Sequence, residues 1–341
     1  MIREAIAKLV ERQNMTEQEA EAATGEIMRG EATPSQVAGF LVALRMKSET
    51  VEEVTGCARA MRAASVKVQT TRTPLVDTCG TGGDGAGTFN ISTTVALVVA
   101  GCGVGVAKHG NRSVSSSCGS ADLLEALGVT IDLGPEAVGK CIDEVGIGFL
   151  FAPRYHPAMK FAAPTRKEMG VRTIFNILGP LTNPASAPVQ LVGAYAPSLT
   201  ELLARALARL GSSRAMVVHG AGGLDELSLS GPNRVTWLEQ GRITTGIVDP
   251  GEVGLTISSN DSLKGGNAEE NARATMDLLK GEKGPKRDVV LLNAAAVLVL
   301  AGVAADFAQG LAMAADSIDS VRALKALADL ARFTQGAARA S

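Results

Sequence analysis

Residues 77–93 read DTCGTGGDGAGTFNIST, and five glycines (Gly80, Gly82, Gly83, Gly85 and Gly87) fall within eight positions. Glycine adopts positive φ without strain and lets backbone N–H groups come close to a ligand. Gly80, Gly82 and Gly85 satisfy G-x-G-x-x-G by count, but no Lys-Ser/Thr pair follows, so this is not a Walker loop. Asn90, Ser92 and Thr93 put side-chain donors just beyond it, where a helix begins. A glycine loop that feeds a helix N-terminus is a seat for phosphate or pyrophosphate.

A second polar cluster, KHGNRSVSSSCGS, covers residues 108–120 and holds Lys108, His109, Asn111, Arg112 and five serines. That density after an apolar run is hard to assign to packing. Lys108 and Arg112 suit phosphate or an exposed charge pair, and His109 suits a ligand contact or a structural role equally. Cys118 reads as a small buried residue. The adjacent acids Asp225 and Glu226 lie in HGAGGLDELS, just past an apolar run ending at Val218. Magnesium takes oxygen ligands and keeps several waters, so one or two carboxylates plus substrate oxygens can hold it. No general base stands out, although His109 could orient a substrate or accept a proton. The chemistry these residues support is positioning, with electrostatic stabilisation of a departing polyanion.

The elements that must position them alternate. Short apolar runs at Leu75–Thr78, Val104–Ala107, Phe149–Ala152, Val189–Ala194 and Ala215–Val218 read as strands. Helical patterns at Ser92–Ala100, Ser120–Leu127, Pro135–Val145 and Leu199–Leu210 separate them, which predicts a parallel α/β sheet. Residues 234–248 read as a hairpin across Gln240-Gly241. Glu269–Leu279, Val289–Val303 and Ser317–Ala331 read as helices. Before Pro74, three capping-box spacings (Thr16/Glu19, Thr33/Gln36, Thr50/Glu53) predict three or four short helices. Ligands of open α/β sheets bind beyond the carboxyl ends of strands, so both polar clusters should face one crevice.

The bulk properties exclude other classes. Over 341 residues the net charge is −2, too small for a bulk grip on nucleic acid or anionic membrane. Five widely spaced cysteines and three histidines fit neither a disulfide framework nor a zinc site. The apolar stretches Val95–Ala107 and Val289–Ala305 fall short of the roughly 20 residues of a span. The charged, amphipathic start MIREAIAKLVERQ is unlike a signal peptide. A cytoplasmic protein is expected.

Four segments occur in order: GTGGDGAGTFNIST, KHGNRSVSSSCGSADLLEALG, HPAMKFAAPTRKEMGVRTIFNILGPLTNP and HGAGGLDELS. Together they resemble the anthranilate phosphoribosyltransferases of tryptophan biosynthesis, and the likeness runs through NAAAVLVLAG over essentially the whole chain. The resemblance implies transfer of the phosphoribosyl group of phosphoribosyl pyrophosphate to the amine of anthranilate. It implies a small N-terminal helical domain (1–70, joined by a helical segment near 165–185) hinged to a large α/β domain (71–341). That domain should have a mostly parallel central sheet surrounded by helices. A homodimer contacting through the helical domain and two Mg2+ ions per monomer are implied as well.

By position, the resemblance gives the donor to Gly80, Gly82, Gly83, Asp84, Thr88, Asn90, Ile91, Ser92 and Thr93. It adds Lys108, His109, Gly110, Asn111, Arg112, Ser113, Val114, Ser115, Ser116 and Ser120. Anthranilate goes to Gly80, Asn111 and Arg166, with His109, Gly179 and Pro180 lining its pocket. Magnesium goes to Ser92 and to Asp225 with Glu226. Ser117 departs from the pattern, standing where many relatives carry Lys or Arg. An aromatic acid calls for a guanidinium fork. Spacing alone does not rank Arg166 above Arg154, Lys160, Lys167 or Arg172; the resemblance selects it. Two rival readings are a nucleoside phosphorylase of similar fold and a non-catalytic paralogue that binds nucleic acid. The first lacks the Asn111–Arg166 combination with NILGPLTNP, and the second would lose the acidic pair or the glycine loop. Whether an amidotransferase subunit associates with the chain is not written in the sequence.

Overall fold

The computed structural model describes residues 1–113 and 117–340, so Val114, Ser115 and Ser116 of the second cluster lie outside the described residues. The chain opens with α1 (Ile2–Val10), α2 (Glu17–Met28), α3 (Pro34–Lys47) and α4 (Val51–Ala63). All three expected capping boxes form. Thr16, Thr33 and Thr50 each accept from the N–H three residues on, and Glu19, Gln36 and Glu53 return the bond. Each box satisfies two backbone donors that the first turn leaves without partners. Glu53 does more: it is wholly buried, and it also accepts from Met15 N–H at 2.9 Å and Lys47 Nζ at 2.8 Å.

The α/β part begins with β1 (Leu75–Gly80), α5 (Ile91–Gly101), β2 (Gly105–Gly110), α6 (Ser120–Ala126), α7 (Pro135–Val145) and β3 (Ile147–Phe151). Three short helices follow: α8 (Ala152–Tyr155), α9 (Ala163–Met169) and α10 (Phe175–Leu178). Next come β4 (Val189–Gly193), α11 (Leu199–Arg209), β5 (Arg214–His219), and the predicted hairpin of β6 (Asn233–Glu239) and β7 (Arg242–Val248). The chain ends in α12 (Ala268–Leu279), α13 (Pro285–Leu300), α14 (Phe307–Asp319) and α15 (Arg322–Ala340).

The sheet order is β3-β2-β1-β4-β5-β6-β7, parallel through β5, with β6 and β7 antiparallel. From β1 the chain steps to β2 on one side and later returns to β4 on the other. The strand order therefore reverses at β1, and the crevice above its carboxyl end is where such sheets take ligands. One core lies between the sheet and α5, α13, α14 and α15, around Val95, Leu97 and Leu292. A second unites α1–α4 with Ile174–Leu181, α11 and the other face of the sheet at Val192 and Val217.

Three sequence expectations need correction. Strand β2 runs on to Gly110, so Lys108 and His109 are strand residues and not part of a loop after it. The expected helix Ser317–Ala331 is two helices broken at Val321, whose φ is +56°. Here α5 ends against the corner. A methyl on Gly101 would stand 2.3 Å from Ser317 Oγ, and Arg322 Nε donates to Gly101 O at 3.1 Å. Most of α14, residues 307–316, was not expected to be helical. Its signal was Asp306, whose carboxylate caps Gln309 N–H at 2.8 Å while Gln309 Oε1 accepts from Ala305 N–H.

Candidate active site

The glycine loop leaves the end of β1 with Gly82, Gly83, Gly85 and Gly87 all at φ between +63° and +77°. Side chains would strain that backbone, so the residue type follows from the conformation. Gly80 is required for another reason: a methyl there would lie 2.4 Å from Asp225 Oδ2. Gly82 N–H donates to the same oxygen at 2.7 Å, and Asp225 N–H donates to Asp84 Oδ2 at 3.3 Å. The far end of the loop is pinned by Phe89 N–H to Leu263 O and by Gly265 N–H to Gly87 O, with Thr88 bridged to Lys264. Helix α5 starts at Ile91, and the Ser92 backbone stabilises the charged form of Glu226.

Asp84, Asp225 and Glu226 thus converge at the ends of β1 and β4. Burial and the neighbouring Asp84 charge raise Asp225 to about 7. Burial, then Asp225, raise Glu226 well above the usual range, with Lys108 opposing. This is a set of oxygens that repel one another when ionised, and a divalent cation relieves that repulsion. Among the described residues no three His, Cys, Asp or Glu side chains form a closed metal cage. An open set fits magnesium, which keeps waters and substrate oxygens in its shell.

Lys108 is buried on β2, with Nζ 3.2 Å from His109 O. His109 is buried and its ring centroid lies 5.2 Å from that of His156. Among the described residues, Nε2 of each ring lacks a hydrogen-bond partner, as does Thr93 Oγ1. Burial pushes His109 well below the ordinary histidine range, helped by His156 and Lys108 and opposed by the Gly179 backbone. Gly179 and Pro180 begin a short 3-10 turn ending at Leu181. Arg166, on α9, lies half-buried over the Phe175 ring at 5.2 Å, and burial lowers its pKa.

Other expected residues sit differently. Arg112 forks onto Glu125 and Asp122 of α6 at 2.5–2.8 Å, and these carboxylates hold it charged. Asn111 Oδ1 accepts from Arg112 N–H, while its backbone exchanges bonds with Ser120 Oγ. Ser113 N–H donates to Asp122 Oδ2 at 3.2 Å. Gly110 leaves no room for a side chain beside Ser120 and Phe149. Asn90 donates to Cys118 O and accepts from Asn271 Nδ2.

Comparison with known proteins places this geometry. A glycosyl transferase family helical bundle domain matches residues 3–65, and a glycosyl transferase family a/b domain matches residues 72–324. Anthranilate phosphoribosyltransferase of Moorella thermoacetica is 57% identical over 94% of each chain. That of Pelotomaculum thermopropionicum is 55% identical over 98% of this chain and 97% of the relative. The chain belongs to the anthranilate phosphoribosyltransferase family.

Among solved members of the family, the Thermus thermophilus structure superposes with a TM-score of 0.92 at 47% identity, covering 97% of this chain and 99% of that one. A Saccharomyces cerevisiae anthranilate phosphoribosyltransferase in complex with phosphoribosyl pyrophosphate and Mg superposes at 0.90, with 28% identity over 98% of both chains. The same yeast protein has been solved with 4-fluoroanthranilate.

Several residues of this family member were not found by spacing. Asp77 is wholly buried beneath the glycine loop, and its signal was a carboxylate inside an apolar strand. Asn183 reaches it from the segment after Leu181. Arg172 donates to Gly83 O and lies over the Tyr195 ring at 4.3 Å, so it braces the glycine loop from the α9–α10 side. His156, the first residue of the third quoted segment, joins His109; no spacing pointed to that pairing.

Proposed function

We propose that this chain transfers the phosphoribosyl group of phosphoribosyl pyrophosphate to the amine of anthranilate. The products are N-(5-phosphoribosyl)anthranilate and pyrophosphate, a step of tryptophan biosynthesis. The observation that carries this is the convergence of the glycine loop, Lys108 and the Asp84–Asp225–Glu226 carboxylates at the strand ends. In the reaction the anthranilate nitrogen bonds to the anomeric carbon as the bond from that carbon to the pyrophosphate oxygen breaks. The surplus amine proton passes to water.

The loop N–H groups and Lys108 orient the pyrophosphate and stabilise the charge it gains on departure. Gly80 brings the backbone to the point where the two substrates meet. Asn90, Ser92, Thr93 and the 108–120 segment hold the rest of the donor, and Arg112 joins them only on leaving Glu125 and Asp122. Arg166 takes the anthranilate carboxylate: among the described residues no hydrogen bond or ion pair occupies its guanidinium. Asn111, Gly179 and Pro180 complete that pocket. Burial depresses the pKa of His109, so it is neutral at pH 7, and its unpartnered Nε2 can accept from a bound substrate. Ser92, and Asp225 with Glu226, would hold two magnesium ions per monomer, which would supply positive charge to offset that of the departing pyrophosphate.

We read residues 1–70 as one domain and 71–341 as the other, hinged, with the 165–185 segment packed on the first. Exposed Val10, Val42 and Met46 on α1 and α3 support a homodimer through the helical domain. Among the described residues no helix is long and apolar enough to cross a membrane, in keeping with a cytoplasmic enzyme. The test is direct. Anthranilate fluorescence should decay when phosphoribosyl pyrophosphate and magnesium are added together, and should not decay with either alone. A steady signal over a wide range of both would refute the assignment.

A further inference from the structure

Asp77 lies in β1 with no exposed surface, so it touches neither substrate. A carboxylate in such a place carries a large desolvation cost, which hydrogen bonds and a nearby cation must offset. Its two oxygens face two different parts of the site. Oδ1 accepts from the His109 N–H of β2 at 3.2 Å. Oδ2 accepts from Asn183 Nδ2 at 2.7 Å and from Cys79 Sγ–H at 3.4 Å. Burial pushes its pKa up, and Lys108 is the first influence in the opposite direction.

Asn183 extends the connection. Its amide also donates to Ala107 O at 2.8 Å, and its Oδ1 accepts from Ala185 N–H at 2.8 Å. The turn Gly179–Leu181 immediately precedes it and packs against β1. One buried carboxylate therefore connects the donor-side strand bearing Lys108 to the acceptor-side segment 179–185. These regions are otherwise separate in sequence: Asp77 and Asn183 are 106 positions apart.

We propose that Asp77 is a positioning residue that sets the spacing between the donor and acceptor half-sites through its bonds to His109 N–H and Asn183. The inference rests on the phosphoribosyl-transfer reading above and adds a residue to it. Each half-site keeps its own ligands when Asp77 is changed; only their relative placement relaxes. Transfer depends steeply on that placement, because a misalignment of about 1 Å can cost a hundredfold in rate.

The experiment is Asp77→Asn, Asn183→Ala and the double variant, assayed per active site. Asparagine has nearly the same shape, but its Nδ2 must face one of two N–H donors, so one of the two connections is lost. The expected result is a fall in kcat of about 10- to 100-fold for each single variant, the usual range for partners that orient a binding group. Both KM values should stay within about threefold, and the double variant should lose little more than either single one, because the residues act as a unit. A purely structural role would lower the melting temperature and leave kcat per folded site unchanged, which would overturn the proposal. Rising KM at unchanged kcat, or additive losses, would overturn it equally. Should Asp77→Asn not fold, Asn183→Ala alone carries the kinetic test.

Hydrogen exchange gives a readout independent of turnover. Segment 179–185 should exchange faster in both single variants, and unchanged exchange there refutes the connection. If the wild-type chain proved inactive with anthranilate while exchange changed as expected, the reaction assignment would fail and the connection would stand.

Discussion

Replacing Gly80 with alanine tests whether the close approach of the glycine strand to the acidic pair is essential to the site. The added methyl would stand 2.4 Å from Asp225 Oδ2 and 3.0 Å from its Cγ. Ordinary contact begins at 3.4 Å, so the carboxylate must retreat by about 1 Å. That movement breaks the 2.7 Å bond from Gly82 N–H to Asp225. A hydrogen bond to a charged group is worth about 1.5–3 kcal/mol, and each 1.36 kcal/mol is tenfold in rate. The expected loss in kcat/KM is therefore roughly 10- to 150-fold. Because Asp225 is an expected metal ligand, half-saturation by magnesium should move to higher concentration. The assay is the decay of anthranilate fluorescence at a fixed excess of phosphoribosyl pyrophosphate over a magnesium series. Gly85→Ala is the contrast: unlike Gly80, which ends β1, it takes a positive φ of +75°, but nothing lies within 4 Å of the new methyl. It should show only local strain of about 1–2 kcal/mol. Gly80→Ala with activity within twofold of wild type and an unaltered magnesium curve would refute the reasoning.

Four further outcomes are expected. Arg166→Ala should raise the anthranilate KM by about 10- to 100-fold, the scale of a lost charge-assisted bond, with donor saturation nearly unchanged; a change confined to the donor would refute the acceptor role. The pair Asp225→Asn and Glu226→Gln should raise the magnesium requirement, and an unaltered metal titration would count against the site. Glu53→Ala leaves Met15 N–H and Thr50 N–H without their acceptor and takes the carboxylate from Lys47 Nζ, which keeps Asn14 Oδ1 and Ser48 O, so urea denaturation should reveal a loss of about 3 kcal/mol. Burial, with Lys67 adding to it, lowers His156 from 6.5 to about 4, so below pH 6.5 the unfolded chain takes up a proton that the folded chain refuses. The His156 contribution to stability should fall as pH drops from 6.5 towards 4, by up to about 3 kcal/mol, and His156→Gln should make the slope shallower, leaving the part that belongs to buried His109.

What could be read in the sequence was local. The capping boxes needed only residues three apart, and the glycine loop needed only its own composition. The hairpin at Gln240-Gly241 needed two residues that accept positive φ, and both adopt it, at 49° and 83°. What escaped was set by tertiary contacts. Val321 breaks a helix that no Gly or Pro marks, because α5 arrives at that corner from more than 200 residues earlier. The pairing of Arg112 with Glu125 and Asp122 was equally hidden, because only the docking of α6 brings those carboxylates to it. Asp77 and Asn183 lie inside quoted segments, but nothing in those segments pairs them; only the adjacency of β1 with the segment ahead of β4 brings them together.

The strand order also bears on how the chain reaches this state. The Gly82–Asp225 bond joins positions 143 apart, and β1 must wait for β4, more than 100 residues downstream, to gain its second neighbour. Such non-local pairing carries a loop-closure entropy cost before any contact offsets it, and slows folding. On a ribosome, β1, β2 and β3 emerge with one flank of the sheet still open, while the N-terminal helices can already form their capped turns. A nascent chain halted before β4 would hold the glycine loop yet lack the acidic pair. Catalytic competence is thus a late event in the life of the polypeptide, gained when the last parallel strands close over the first.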